Sequence, residues 1–280
     1  MNPLRRANEQ IRHGPGTPGI ERLEVHLAQR PFAPHRHDTL AVGITLAGVQ
    51  RFHFRGRCWH CLPGQCHVLH PDELHDGMAG TEQGFAYRIL HVDPALLQQA
   101  LGGAPLPFVA TPVLDLAPAG FDAALWDIDR PLDALDRTDL LVTLADLLRH
   151  AGQGPAVAVR SLAWPALRRV RERLLARPEP RLPLDELERL SGLDRWTLAR
   201  QFRAAFGTSP SRFRGLRQLD RLRAALLRGV PLAEAALEAG FADQSHMGRQ
   251  FRRAYGLTPA RWLAAVAASK RSSMNTALAR

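Results

Sequence analysis

The chain has 280 residues, with 37 Lys or Arg against 27 Asp or Glu, a formal net charge of +10, and 45% hydrophobic residues. That length fits about two domains, and the apolar share is ordinary for packed globular cores. No run approaches the ~20 apolar residues of a membrane-spanning helix. Residues 1–24 hold no apolar stretch like an export signal, and three closely spaced cysteines do not make a disulfide scaffold, so the cytoplasm is the expected location, without a membrane partner.

Charge divides unevenly along the chain. Residues 160–280 hold 24 basic and 10 acidic side chains, whereas residues 1–159 hold 13 and 17. A basic half joined to an acidic one points to a domain that binds a polyanion. Only one of the 37 basic residues, Lys270, is a lysine.

Residues 1–19 read as an N-terminal tail, and residues 20–95 as short strands. Leu40 to Leu46 is apolar and partly β-branched, Gln50 to Phe54 alternates, and Gly56 and Pro63-Gly64 mark turns. Cys66 to Leu69 and Phe85 to Val92 complete a series whose near-regular spacing predicts a sandwich or barrel. Within it, His35 and His37 stand two apart and share a face if they share a strand. With His75 they read either as three metal ligands or as polar groups lining a pocket. Cys58-Trp59-His60-Cys61 and Cys66-His67 carry soft donors suited to Zn²⁺ or Cu⁺, which would make a metal or thiol sensor. Against this, Cys58 and Cys61 fall on opposite faces of a strand over 57–62, and buried cysteine serves equally as a small hydrophobe.

After Pro94 the pattern becomes helical. Ala95 to Leu101 and the leucine-spaced stretch Leu132 to His150 make 96–150 a helical segment, interrupted by Pro118-Ala119-Gly120. Its last helix packs either on its own barrel or on a second copy of the chain. Residues 151–161, with Gly152, Gly154 and Pro155, read as a linker. Residues 162–268 are then expected to be all helical, and 269–280 a C-terminal tail.

The most informative feature is a duplication. Asp194–Phe213 aligns without a gap on Asp243–Trp262 at an offset of 49, with nine of twenty positions identical. Upstream, Pro183-Leu184 pairs with Pro231-Leu232, and Gly192 with Gly240, at an offset of 48. Each copy predicts a short helix starting at its proline and ending near its glycine, then a second helix capped by Asp194 or Asp243 and closed by Gly207 or Gly256. Two short helices joined by a tight turn make a helix-turn-helix.

The second helix of each copy has two faces. Leu198, Phe202 and Phe206, matched by Met247, Phe251 and Tyr255, recur at four-residue spacing and predict a buried back. The front carries Trp196, Arg200 and Arg203 in one copy and Ser245, Arg249 and Arg252 in the other. Such a front suits the major groove, where arginine bonds bidentately to guanine. From Pro210 to Arg228 a connecting helix would run roughly 28 Å, enough to set the two reading helices about one DNA turn, roughly 34 Å, apart.

The stretch Gly240-Phe241-Ala242-Asp243-Gln244-Ser245-His246-Met247-Gly248-Arg249-Gln250-Phe251, continued by Gly256-Leu257-Thr258-Pro259, closely resembles the signature of the AraC/XylS family of bacterial transcription regulators. The resemblance covers about residues 165–265. It implies that the first helix presents Trp196, Ala199 and Arg200 to bases, flanked by Arg195, Thr197 and Arg203, and the second Gln244, Ser245, His246 and Arg249, flanked by Arg252. Ala199 departs from a polar base reader, since alanine touches only a thymine methyl.

More loosely, Pro34-His35-Arg36-His37-Asp38, Gly56, Pro63-Gly64, His70-Pro71 and His75 resemble the cupin domain common in that family. The implied fold is α+β in two domains: an N-terminal cupin-like jelly-roll β-barrel with helices, and a C-terminal all-α domain with two helix-turn-helix units. Metal-binding cupins add a glutamate soon after His-x-His, whereas here Asp38 follows and the next acid is Asp72. His35, His37 and His75 are therefore read as ligand-binding, with no metal, cofactor or catalytic residue assigned. The implied partners are double-stranded DNA, a small-molecule effector, a second copy in a homodimer, and RNA polymerase. A metal-dependent cupin enzyme would instead need bound metal and turnover, and an arginine-rich scaffold for acidic proteins gives no reason for a repeated, capped turn.

Overall fold

Alternation builds the barrel. In a computed structural model, residues 9–28, 31–104, 106–115, 126–152, 162–176, 183–241 and 243–278 are described, with side chains to 268. One six-stranded antiparallel sheet runs in the order β1 (Gln10–His13), β2 (Ile20–Leu27), β9 (Phe85–Val92), β4 (Leu40–Gly48), β7 (Gln65–Leu69) and β10 (Val113–Asp115). The facing four-stranded sheet runs β3 (Phe32–His35), β8 (His75–Ala79), β5 (Gln50–Phe54) and β6 (Arg57–Cys61). Successive side chains leave a strand on opposite faces. Val25, Ala41, Leu69, Tyr87 and Ile89 therefore point inward to Phe52 and Phe54. Their neighbours Ile20, Leu40, Val42, Leu90 and Val92 point outward.

Helices α1 (Pro94–Ala100) and α2 (Ala134–Ala151) cover that outer face, burying Leu97, Leu140, Leu144 and Leu148 against it. Asp133 starts α2 with a reciprocal cap to Asp136, which ties up two otherwise free backbone N–H groups. The far side of α2 leaves Leu135 and Val142 exposed, seven residues apart on one stripe.

Three expectations need correction here, the first at the C-terminus, where the tail expected over 269–280 is helical as far as Leu278. The tail expected over 1–19 contributes β1, and the helical segment expected over 96–150 contributes β10. Both are short edge strands, and β1 supplies one core side chain, Ile11. Too little alternation exists in four or three residues to show a period. Pro118-Ala119-Gly120 and nearly all of the linker expected over 151–161 lie outside the described residues.

The C-terminal part comprises α3 (Trp164–Ala176), α4 (Leu184–Ser191), α5 (Arg195–Phe206), α6 (Pro210–Leu227), α7 (Leu232–Glu238), α8 (Gln244–Tyr255) and α9 (Pro259–Leu278). The first helix-turn-helix has its own core of Leu167, Val170, Leu198, Phe202, Phe206 and Phe213. The second does not: Leu219, Leu222, Phe251 and Trp262 belong to one apolar cluster with Val25, Phe52, Tyr87 and Ile89 of the barrel. Among the described residues, no helix is long and apolar enough to cross a membrane.

Candidate nucleic-acid interface and interdomain cavity

Caps set the two reading helices. The Asp194 carboxylate accepts from Trp196 N and Thr197 N, both at 3.0 Å, and Asp243 accepts from His246 N at 2.6 Å. Both helices close on a left-handed glycine, Gly207 at φ 73° and Gly256 at φ 69°, a geometry that strains any residue with a Cβ. Pro183 and Pro231 cap the preceding helices α4 and α7, one position earlier than the expected first helical residue. Helix α6 spans 18 residues between the units, capped by Ser209 with Pro210 as its first residue.

The fronts face solvent. Trp196 is 70% exposed, and Arg200, Arg203, Gln244, Ser245, His246, Arg249 and Arg252 are exposed with it. Thr197 is half-buried and accepts a 3.1 Å hydrogen bond from Arg200. Arg195 is drawn back along the turn, its Nε donating to Glu188 at 3.1 Å. Arg203 approaches the barrel's Asp72 at 4.0 Å.

Behind these fronts, the helices meet the barrel. A belt of ion pairs joins the domains, each with its acid on the barrel side and its arginine on the helical side. They are Glu9–Arg261, Glu21–Arg223, Asp38–Arg217, Asp72–Arg212 and Asp93–Arg171. The charge asymmetry of the sequence is thus partly answered within the molecule. Backbone bonds add to the belt: Ala33 N donates to Gly256 O at 2.9 Å, and Arg36 N to Arg253 O at 3.0 Å. Burial alone would raise the Glu21 carboxyl, yet Arg223 and a hydrogen bond from His13 hold it well below the usual carboxylate range. At Asp38 burial wins against Arg217 and pushes the carboxyl up to about 6.

Between barrel and helices lies a cavity of about 510 Å³, in the range of small-molecule sites. Its floor is apolar, with Val25, Phe52, Leu69, Tyr87 and Ile89 from the strands, and its roof is Leu216, Tyr255 and Trp262 from the helices. The predicted histidines come together at one end. The ring centroids of His35 and His75 are 4.4 Å apart, and those of His37 and His75 are 4.8 Å apart. A fourth, His91 on β9, lies 4.7 Å from His37, and His67 on β7 also lines the cavity. Sequence reading missed His91, whose place in an apolar strand was the available signal. It grouped His67 with the cysteines. Burial holds His35 and His91 down at about 4 and His67 at about 3, so these rings are neutral at pH 7.

The three cysteines divide between surface and core. Cys58 is exposed, whereas Cys61 and Cys66 are buried, and burial pushes the Cys66 thiol up to about 12. Among the described residues, no three His, Cys, Asp or Glu side chains are disposed to hold a metal ion.

Comparison with known proteins gives these two parts a lineage. Residues 17–149 match the AraC-like ligand binding domain, and residues 187–265 match a helix-turn-helix domain. An uncharacterised HTH-type transcriptional regulator of Bacillus subtilis, YbfI, is 25% identical over 238 residues, covering 81% of this chain and 86% of the relative. Among solved structures, ToxT from Vibrio cholerae O395 superposes with a TM-score of 0.62 at 8% identity, over 89% of this chain and 99% of that one. Unsaturated fatty acid-bound wild-type ToxT from Vibrio cholerae strain SCE256 gives a TM-score of 0.61 at 11% identity, over 94% and 98%. These structural likenesses show the shared two-domain fold. With an AraC-like ligand binding domain and a helix-turn-helix domain joined in this order, the chain is built as a transcriptional regulator.

Proposed function

We propose that a small molecule held in the interdomain cavity controls how this regulator engages its operator. The observation that carries this reading is that both domains wall one cavity and that its wall touches a reading helix. His35 lines the cavity, and its Nδ1 lies where a methyl on Gly256, the end of α8, would come within 2.9 Å. An occupant that shifts β3 therefore shifts the helix end bonded to it. Coupling requires that the occupant bind two domain arrangements with different affinity. A ToxT structure of the same two-domain fold is described as unsaturated fatty acid-bound.

On the DNA side, Trp196, Arg200 and Arg203 read one major groove, and Gln244, Ser245, His246, Arg249 and Arg252 the next, with Arg195 and Thr197 at the rim. Two chains pair through the exposed Leu135–Val142 stripe of α2, and the protein acts in the cytoplasm, where it meets RNA polymerase. The test is selection of duplexes from a random pool by the full chain, repeated with candidate effectors. Support is one enriched operator whose two sequence blocks lie about 10–10.5 base pairs apart and whose affinity changes with an effector. An unenriched pool, or an operator affinity that no cavity-binding molecule alters, would sink the reading.

A further inference from the structure

We infer that the cavity takes an uncharged, largely apolar molecule whose head carries two or more O–H or N–H donors, received by the bare Nε2 atoms of His35, His37 and His75. This assignment rests on the cavity being the effector site proposed above. It follows from where the imidazole protons must be.

Each of the three rings has its Nδ1 on a backbone carbonyl: His35 on Ala33 O, His37 on Thr39 O and His75 on Glu73 O, all at 2.9 Å. A carbonyl oxygen only accepts, so each Nδ1 is the donor and carries the proton. Burial keeps the rings neutral, which leaves each Nε2 a lone-pair acceptor. His37 is 8% exposed, and its Nε2 is buried with no hydrogen-bond partner. A buried acceptor left unmet is expensive. The ring centroids lie 4.4, 4.8 and 6.3 Å apart, so the three rings form one cluster on the cavity wall.

Charge argues the same way. Five carboxylates line the cavity against three guanidiniums, Arg22, Arg217 and Arg223. All three are engaged: Arg22 donates to Asp127 O and Arg130 O, Arg217 faces Asp38 over 2.9 Å, and Arg223 pairs with Glu21 while lying over the Tyr255 and Trp262 rings. The Nε atoms of these three arginines are buried without a partner. An anionic head would meet acceptors and paired cations. An ammonium would lose hydration while Glu21, Asp38, Asp93 and Asp220 stay with their arginines and Asp76 with His53. A donor head on an apolar body meets neither cost, and the floor of Val25, Phe52 and Ile89 suits that body.

The experiment titrates the full chain with a naphthalenediol, a naphthoate and a naphthylmethylammonium, three heads on one skeleton, and separately with Zn²⁺ alone. The diol is expected to bind at least about tenfold more tightly than either charged analogue, since it alone satisfies acceptors that the others leave unmet. His37→Phe, which keeps a ring but removes the acceptor, should lose that preference. Nitrogen-15 spectra of wild-type protein labelled at histidine read the same point without a variant. They should show three neutral rings protonated at Nδ1, with the Nε2 signals moving on diol addition. Tighter binding of the naphthoate or of Zn²⁺, absence of binding by all three analogues, or rings protonated at Nε2 would each overturn the assignment. Tight diol binding with unchanged operator affinity would leave it standing and remove the proposed effector control instead.

Discussion

Three glycines share one backbone geometry and differ only in what faces them. Gly192, Gly207 and Gly256 all sit at left-handed helix ends, with φ of 70°, 73° and 69°. A Cβ on Gly192 would meet nothing within 4 Å. On Gly256 it would lie 2.9 Å from Ala33 O, His35 Nδ1 and Phe32 Cβ, and on Gly207 it would press on Pro71, within 2.8 Å of Cγ. Gly192→Ala therefore carries backbone strain alone, about 1–2 kcal/mol. Gly256→Ala adds the displacement of a packed strand that includes backbone, about 1–3 kcal/mol, for a total of roughly 2–5 kcal/mol. Gly207→Ala should fall near the same value, because proline gives little. Urea unfolding of the three full-length variants measures the differences, and operator affinity with and without effector measures the consequence. Gly256→Ala should uncouple the two, since it parts the barrel from α8 without altering any side chain on the exposed fronts of α5 and α8. Equal stability loss in Gly192→Ala and Gly256→Ala would refute the reasoning, by showing that the barrel does not rest on this helix end in solution.

Acid should destabilise the protein from below pH 7. Histidines whose folded values are depressed by burial, about 4 at His35, His70 and His91 and about 3 at His67, contribute stability that is present above pH 6.5 and lost as pH falls through the folded values. Asp38, raised to about 6, works oppositely between about pH 4 and pH 6, but as one group against several. Thermal melts that stay level or rise from pH 7 to pH 5 would contradict this. Of the three thiols, Cys58 should react with a thiol reagent in the native protein, while Cys61 and Cys66 wait for unfolding, and mass spectrometry of the labelled chain decides it. Asp243→Ala should cost about 0.5–2 kcal/mol through the lost cap on α8, and an unchanged unfolding midpoint would show that the cap contributes nothing.

Local chemistry made the DNA-binding half readable. Asp194, Gly207, Asp243 and Gly256 are chosen by helix ends, and the period of Leu198, Phe202 and Phe206 by a buried face, so the twin units show in sequence without any tertiary knowledge. The barrel strands with an apolar run, such as β4 and β9, or with alternation, such as β5, were equally plain. The interdomain contacts were not. Asp38 and Asp72 look like surface acids, Arg217 and Arg223 look like the polar side of a connecting helix, and only the folded chain sets them against each other. The second unit's lack of a private core was hidden for the same reason: Phe251 and Trp262 read as ordinary core residues, whatever they pack against. Of the three cavity histidines, His35 and His37 were legible from spacing and His75 from the resemblance, but their shared tautomer depends on the local backbone turning a carbonyl two residues away onto each Nδ1.

The most direct test of DNA reading is the salt dependence of affinity for the selected operator and for unrelated duplex, in wild type and Arg249→Ala. The account predicts a logarithmic affinity that falls linearly with logarithmic salt, and a loss of about 1–3 kcal/mol in the variant on the operator alone. A chain that ignores DNA at low ionic strength, or a variant that binds the operator as tightly as wild type, would contradict it.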